Sequence, residues 1–214
     1  MKEKIHNFKD SINEGKKGEK KLIDLLLRLK GDKIAKVIDV SDNQKYTNHD
    51  IDVFIKNFDS SFYAIEIKTD SQWKTGNIFY EEMSCIEKHT IGCFDKTRAN
   101  VMLYYFIEPG DCYIIYDMKK FREWYDSRRK NFKVISITNY RLNETKLYHG
   151  EGRLIPRSLF EKEGQDFMQK VKITEVNKEN AQMVWNIIQA SSCYKKKENI
   201  VKSQTTTIWT REEA

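Results

Sequence analysis

Hydrophobic positions recur along this chain in two rhythms, one with the period of a helix and one with the period of a strand. Leu22, Leu25, Leu26 and Leu29 recur at helical spacing after a lysine-rich lead, and Gly31 stands where such a helix would stop. Short apolar runs follow at residues 34–40, 48–55, 63–70, 77–81, 102–106, 112–116 and 134–138. Their length and their β-branched and aromatic content predict strands, the run at 134–138 being the last. The polar stretch from Lys56 to Ser61 has the length of a hairpin loop, and Pro109-Gly110 marks a second hairpin. Asp117 is placed to cap a helix in which Phe121, Trp124 and Tyr125 fall at helical spacing. The stretch that ends at Arg153 reads as irregular, and Pro156 opens a docking segment centred on Leu159 and Phe160. Ala181, Val184, Trp185 and Ile188 define an amphipathic helix, and from Tyr194 the lysine- and threonine-rich end reads as a flexible tail or an interaction strand.

These elements predict an α/β (α+β) fold in which a central mixed β-sheet is flanked by helices. Residues 1–175 are expected to form one domain, and residues 176–214 a helix and tail. Eleven Phe, eleven Tyr and four Trp furnish a substantial core, while 33% charged residues suit a solvated surface. The net charge of +6 permits phosphate binding without demanding it. No stretch has the apolar length of a membrane span, and the first residues lack the apolar segment of a signal peptide, so the cytoplasm is the expected location. The four cysteines and four histidines form no paired motif, so neither a zinc site nor a disulfide framework is expected. Free, mostly buried thiols remain.

Charge enters the picture where it interrupts the apolar runs. In Tyr63-Ala64-Ile65-Glu66-Ile67-Lys68-Thr69-Asp70, strand alternation puts Glu66 and Lys68 on one face and Ile65 and Ile67 on the other. The preceding run carries Asp50 and Asp52, which share strand parity, so either can supply a carboxylate to its antiparallel neighbour. Two carboxylates from adjacent strands with a lysine beside them suit a hard divalent cation, because Mg²⁺ takes oxygen ligands and keeps waters that a phosphate can replace. The lysine then acts on phosphate charge or on the attacking water.

An acid, a gap and Glu66-Ile67-Lys68 resemble the pattern of the PD-(D/E)xK nuclease superfamily, restriction-endonuclease-like in fold. Lys68-Thr69-Asp70, then Lys74-Thr75-Gly76-Asn77-Ile78-Phe79-Tyr80-Glu81, Gly92 and Lys96-Thr97-Arg98-Ala99-Asn100 are similar to a subgroup of small phage and mobile-element members. The likeness runs from Gly15 to Tyr116, and it departs from the family pattern in that no proline precedes either acid. The resemblance implies a Mg²⁺-dependent nuclease, with Mn²⁺ able to substitute, acting on DNA in preference to RNA. It implies Asp52, Glu66 and the carbonyl of Ile67 as metal ligands, Lys68 as a catalytic group, and Glu19 on the first helix, with Glu14 second, as support for the metal. Asp52 is favoured because the subgroup has its acid directly after an isoleucine; Asp50 is the alternative. Asp70, Asn77 and Glu81 are expected in the cleft. The competing expectations are a nucleic-acid-binding or inhibitory protein that keeps the fold without the chemistry, and an RNA-directed nuclease. A homodimer is compatible with either, and no membrane partner is expected.

Overall fold

The first helix, α1 (Phe8–Leu26), starts well before the leucine series and carries Gly15 and Gly18 within it. It ends earlier than the glycine signal implied. In the computed structural model, residues 8–29, 34–140, 147–192, 194–197 and 208–211 are described; Gly31, His6, Cys193 and the threonines at 205–207 lie outside the described residues. Leu22, Leu25 and Leu26 are fully buried, and burial of each contributes roughly 1.5–3 kcal/mol.

The chain continues through β1 (Ile34–Asp39), the short α2 (Gln44–Thr47), β2 (Val53–Asn57) and β3 (Phe62–Asp70). Then come β4 (Asn77–Cys85), β5 (Thr90–Ile91), α3 (Cys93–Lys96), β6 (Val101–Phe106) and β7 (Asp111–Ile115). The Asp117 carboxylate accepts from Lys120 N and caps α4 (Met118–Arg128). After β8 (Lys133–Tyr140) the expected irregular stretch is instead a strand, β9 (Leu147–Pro156), and the docking segment is a helix, α5 (Arg157–Glu163), with Phe160 fully buried. Gly150 and Gly152 hid that strand, because they remove two residues from its apolar alternation. The last elements are β10 (Met168–Lys172), α6 (Lys178–Ile188), β11 (Tyr194–Lys197) and β12 (Ile208–Arg211).

The central sheet runs β1-β2-β3-β6-β7-β10, with β11 joining the start of β3 and β12 joining β11. It is mixed, because β3 and β6 are parallel while the other pairs are antiparallel. All six residues of β6 are buried, as a central strand covered on both faces requires. One face of the sheet, with Ile65, Ile67 and Tyr105, packs on α1 and α6. The other, with Met102, Tyr104 and Phe106, packs on α4, α5 and a second sheet. That second sheet, β5-β4-β9-β8, is antiparallel, so the strand at 77–85 lies outside the central sheet. Cys85, Cys93 and Cys112 are free and buried. Among the described residues no helix is long and apolar enough to cross a membrane.

Candidate active site

The acids converge because β2 stops short of β3. The last β2 partner of β3 is Val53, opposite Ile65, and beyond it the β3 edge runs on toward Asp70 without a strand beside it. Asp52 fills the first gap with its own atoms. Its N–H donates to Ile65 O (2.9 Å), and its Oδ2 accepts from Ile67 N (2.7 Å), so a side chain takes the place of the next ladder bond. A residue's N–H and carbonyl leave the same edge of a strand, so the Ile67 carbonyl points to the notch where β2 has ended.

Glu66 faces away from Ile67 and is 7% exposed. The carboxyl groups of Asp52 and Glu66 lie close enough to act on one another, and Glu66 Oε2 is buried with no N–H or O–H donor on it among the described residues. Two carboxyl groups so placed favour keeping a proton on one of them. Burial first, then the charges of Asp52 and Asp50, hold Glu66 well above the usual carboxylate range. Burial also raises Asp52, partly offset by the Ile67 N–H.

Glu19 comes from α1. Gly18 lets that helix approach β3, since a Cβ there would lie 2.8 Å from Thr69 Cγ2 and 3.1 Å from Ile107 Cγ1, and Thr69 Oγ1 donates to Gly15 O one turn earlier (3.1 Å). The next residue, Glu19, is therefore carried to the acid pair. Burial, then the charges of Asp52 and Asp39, raise it to about 7 against the smaller opposing influence of Lys16 and Ser41, and the Ser41 hydroxyl itself donates to Asp39 Oδ1 (2.8 Å). Glu14, also on α1, is exposed.

Lys68 lies on the Glu66 side of β3. Its Nζ is 3.9 Å from Glu81 Oε2 and hydrogen-bonds Cys93. The Cys93 sulfur first, then Glu81 and Glu66, raise its pKa against the cost of burial. Burial pushes the Cys93 thiol up to about 12, so at neutral pH the sulfur is uncharged and Glu81 is the partner that holds the ammonium. Glu81 Oε2 also accepts from Cys93 N (3.4 Å).

Asp50 shares the neighbourhood but not the strand. Its φ of 47° breaks the expected parity with Asp52, a left-handed conformation that aspartate tolerates better than most residues. Its Oδ1 pairs with Lys96 Nζ (2.9 Å), and its Oδ2 is buried without a partner. Asp70 and Asn77 hold local structure. Asp70 accepts from Gln72 N (2.6 Å) and from the Tyr104 hydroxyl, and Asn77 Nδ2 donates to Thr75 O (2.7 Å). Neither makes a contact that brings it to the acid pair.

Asp39, Ser41 and Cys93 were not expected at this site. No sequence signal marks Cys93, whereas Asp39 closes the first apolar run just before the polar loop. Among the described residues no group of three or more His, Cys, Asp or Glu side chains forms a ready metal cage. Magnesium sites often use only one or two carboxylates, with water and phosphate completing the shell. No protein-family model matches the sequence, and neither a curated protein nor a solved structure matches it.

Proposed function

We propose that this chain is a metal-dependent nuclease of the PD-(D/E)xK type that hydrolyses phosphodiester bonds, in DNA before RNA, in the cytoplasm. The observation that carries this reading is the Asp52–Glu66 pair, two neighbouring acids with one buried oxygen, Glu66 Oε2, that no donor meets among the described residues. Such an arrangement costs stability unless a cation takes the place of the proton. The donor set fits a hard divalent ion: Asp52, Glu66 and the Ile67 carbonyl would hold it, with Glu19 adjoining. Mg²⁺ or Mn²⁺, when bound, supplies Lewis-acid stabilisation of phosphoryl oxygen and an acidified water.

The chain's own groups then divide the work. Lys68 keeps its proton at neutral pH, so it serves as fixed positive charge beside developing negative charge on phosphate, and not as a base. Glu81 holds that ammonium on the cleft side of β3. Glu19, raised to about 7, can give up or take a proton near neutrality.

Calorimetry with Mn²⁺ and a cleavage panel of plasmid, linear, single-stranded and branched DNA and of RNA test the reading together. Asp52→Asn and Glu66→Gln should each weaken Mn²⁺ binding with the fold intact. Lys68→Ala should still bind metal and nucleic acid but cut on the order of 100-fold more slowly in single turnover, by analogy with the loss of one oxyanion donor. Absence of Mn²⁺ binding even with substrate present, or undiminished cutting by Lys68→Ala, overturns it.

A further inference from the structure

The second sheet has two unlike faces. Ile78, Tyr80 and Ile155 are buried in the cluster beneath it. On the opposite face Phe79, Leu154, Ile135 and Ile137 are half-exposed and belong to none of the apolar clusters. Cross-strand pairing puts Phe79, Leu154 and Lys133 in one row and Glu81, Gly152 and Ile135 in the next.

One hydrogen-bond chain ties the strand of this face to β3, and one side chain on the face reaches the candidate active site. Phe79 N donates to the Tyr104 hydroxyl (3.2 Å), which donates in turn to Asp70 at the end of β3. Glu81, two residues along the same face, reaches Lys68. The Phe79 ring leans over the backbone of the neighbouring strand, since a Cβ on Gly152 would lie 2.4 Å from its Cε2 and 2.6 Å from its Cζ. The glycine thus gives a half-exposed aromatic ring a flat, fixed seat. Lys133 at the end of the Phe79 row and Lys74 just before β4 are exposed and form no ion pair among the described residues.

We propose that this face binds unpaired nucleotides, one base stacking on Phe79 while flanking phosphates meet Lys74 and Lys133. Nucleic acid fits because Lys133 stands at the margin of the apolar face, Lys74 lies three residues before its strand β4, and Glu81 on the same face reaches Lys68 of the proposed hydrolytic site. An unpaired strand fits better than a duplex, whose interior bases are already stacked and cannot present a face to a side chain. The substrate class rests on the nuclease reading; the test does not.

The test measures fluorescence anisotropy in chelator with the full chain carrying Lys68→Ala, so that the probe stays intact, against a labelled 20-mer as single strand and as blunt duplex. Phe79→Ala should weaken single-strand binding about tenfold while duplex binding changes less than about twofold, and Phe79→Tyr should bind as the parent does. Phe79→Leu keeps an apolar cover over Gly152 and should lose the same affinity with its melting temperature retained, which separates stacking from folding. Lys74→Ala and Lys133→Ala should each reduce the slope of log affinity against log salt by about 0.7. A folded Phe79→Leu protein with unchanged single-strand affinity overturns the proposal. So does an equal loss on duplex, or a Phe79-dependent self-association with strand binding intact, which would assign the face to a second copy. If the strand binds through Phe79 yet the unmutated chain never cuts with Mn²⁺, the nuclease reading fails and this one stands. If the chain cuts and Phe79 variants bind as well as the parent, the reverse holds.

Discussion

Glu66 and Glu82 are the same residue at the same depth, each 7% exposed, in opposite surroundings. Glu82 Oε1 accepts from Arg129 Nε, from Arg153 Nε (3.0 Å) and from the Tyr125 hydroxyl (2.6 Å). Burial works to raise its pKa, but these donors prevail and hold it below the usual value. Glu66 has a second carboxyl group for a neighbour and one oxygen with no partner. A satisfied buried carboxylate fastens the second sheet to α4; an unsatisfied one is a place where something else can bind. Depth alone does not tell the two apart, and the donors around each oxygen do.

The largest expected effect is on the satisfied acid. Glu82→Gln leaves Arg153 and Arg129 without their counter-charge and should cost about 2–3 kcal/mol, less than a fully buried pair because Arg129 is half-exposed. Thermal unfolding should then fall by roughly 5–10 °C. A loss no larger than that of Glu66→Gln would erase the contrast.

Acidity should move the two regions in opposite senses. Glu82 is depressed in the folded chain, so the stability it gives is present above its unfolded value and lost as pH falls through its folded one. Glu19, Asp52 and Glu66 are raised, so the metal-free protein loses stability as pH rises from their unfolded values, 3.8 for Asp52 and 4.5 for the glutamates, toward their folded ones. Each site acid contributes at most ~1.4 kcal/mol per pH unit to that slope. Glu19→Gln should flatten the fall between about 4.5 and about 7, where Glu19 titrates, in denaturant melts across pH. An unchanged slope removes Glu19 from the cluster.

A smaller effect, of opposite sign to that at Glu82, is expected at Glu66. Glu66→Gln in chelator should leave the melting temperature unchanged or raise it by up to ~1 kcal/mol equivalent, because it removes a buried acid whose ionisation beside Asp52 is disfavoured. The same variant should lose the rise in melting temperature that Mn²⁺ gives the parent. A clear destabilisation would make Glu66 a structural residue like Glu82.

The smallest effect on stability is predicted at Gly18→Ala. The added Cβ presses on Thr69 and Ile107, while alanine gains about 1 kcal/mol of helix propensity over glycine, so the two nearly cancel. What should change is Mn²⁺ affinity, as α1 backs away from β3 and takes Glu19 with it. Calorimetry showing parental affinity would separate Glu19 from the site.

Much of this fold is legible in the chain because its elements announce themselves locally. The 101–106 strand is a continuous apolar run, the Asp117 cap is a local hydrogen bond, and the Leu22 series is periodic. The strand at 147–156 was not legible, because glycines that admit Phe79 and Ile137 erase its alternation. The first turns of α1 read only as a lysine-rich lead, because they lack the apolar period of the leucine series, and the glycines that follow are there to meet Thr69, which lies far along the sequence. Asp50 and Asp52 were equivalent by parity until the backbone at Asp50 turned left-handed.

The sequence by itself determined which residues alternate, which helices have an apolar side, and that Glu66 and Lys68 share a face, since all of these follow from backbone periodicity. Only the tertiary structure decided where β2 ends against β3, which leaves Asp52 to bond Ile67 and Glu66 Oε2 without a partner. It alone decided that Glu82 meets two arginines, and that Cys93 and Glu81 close on Lys68. The state of a buried carboxylate is set by the donors and charges within a few ångströms of it, and a chain brings those together from positions that no local pattern connects.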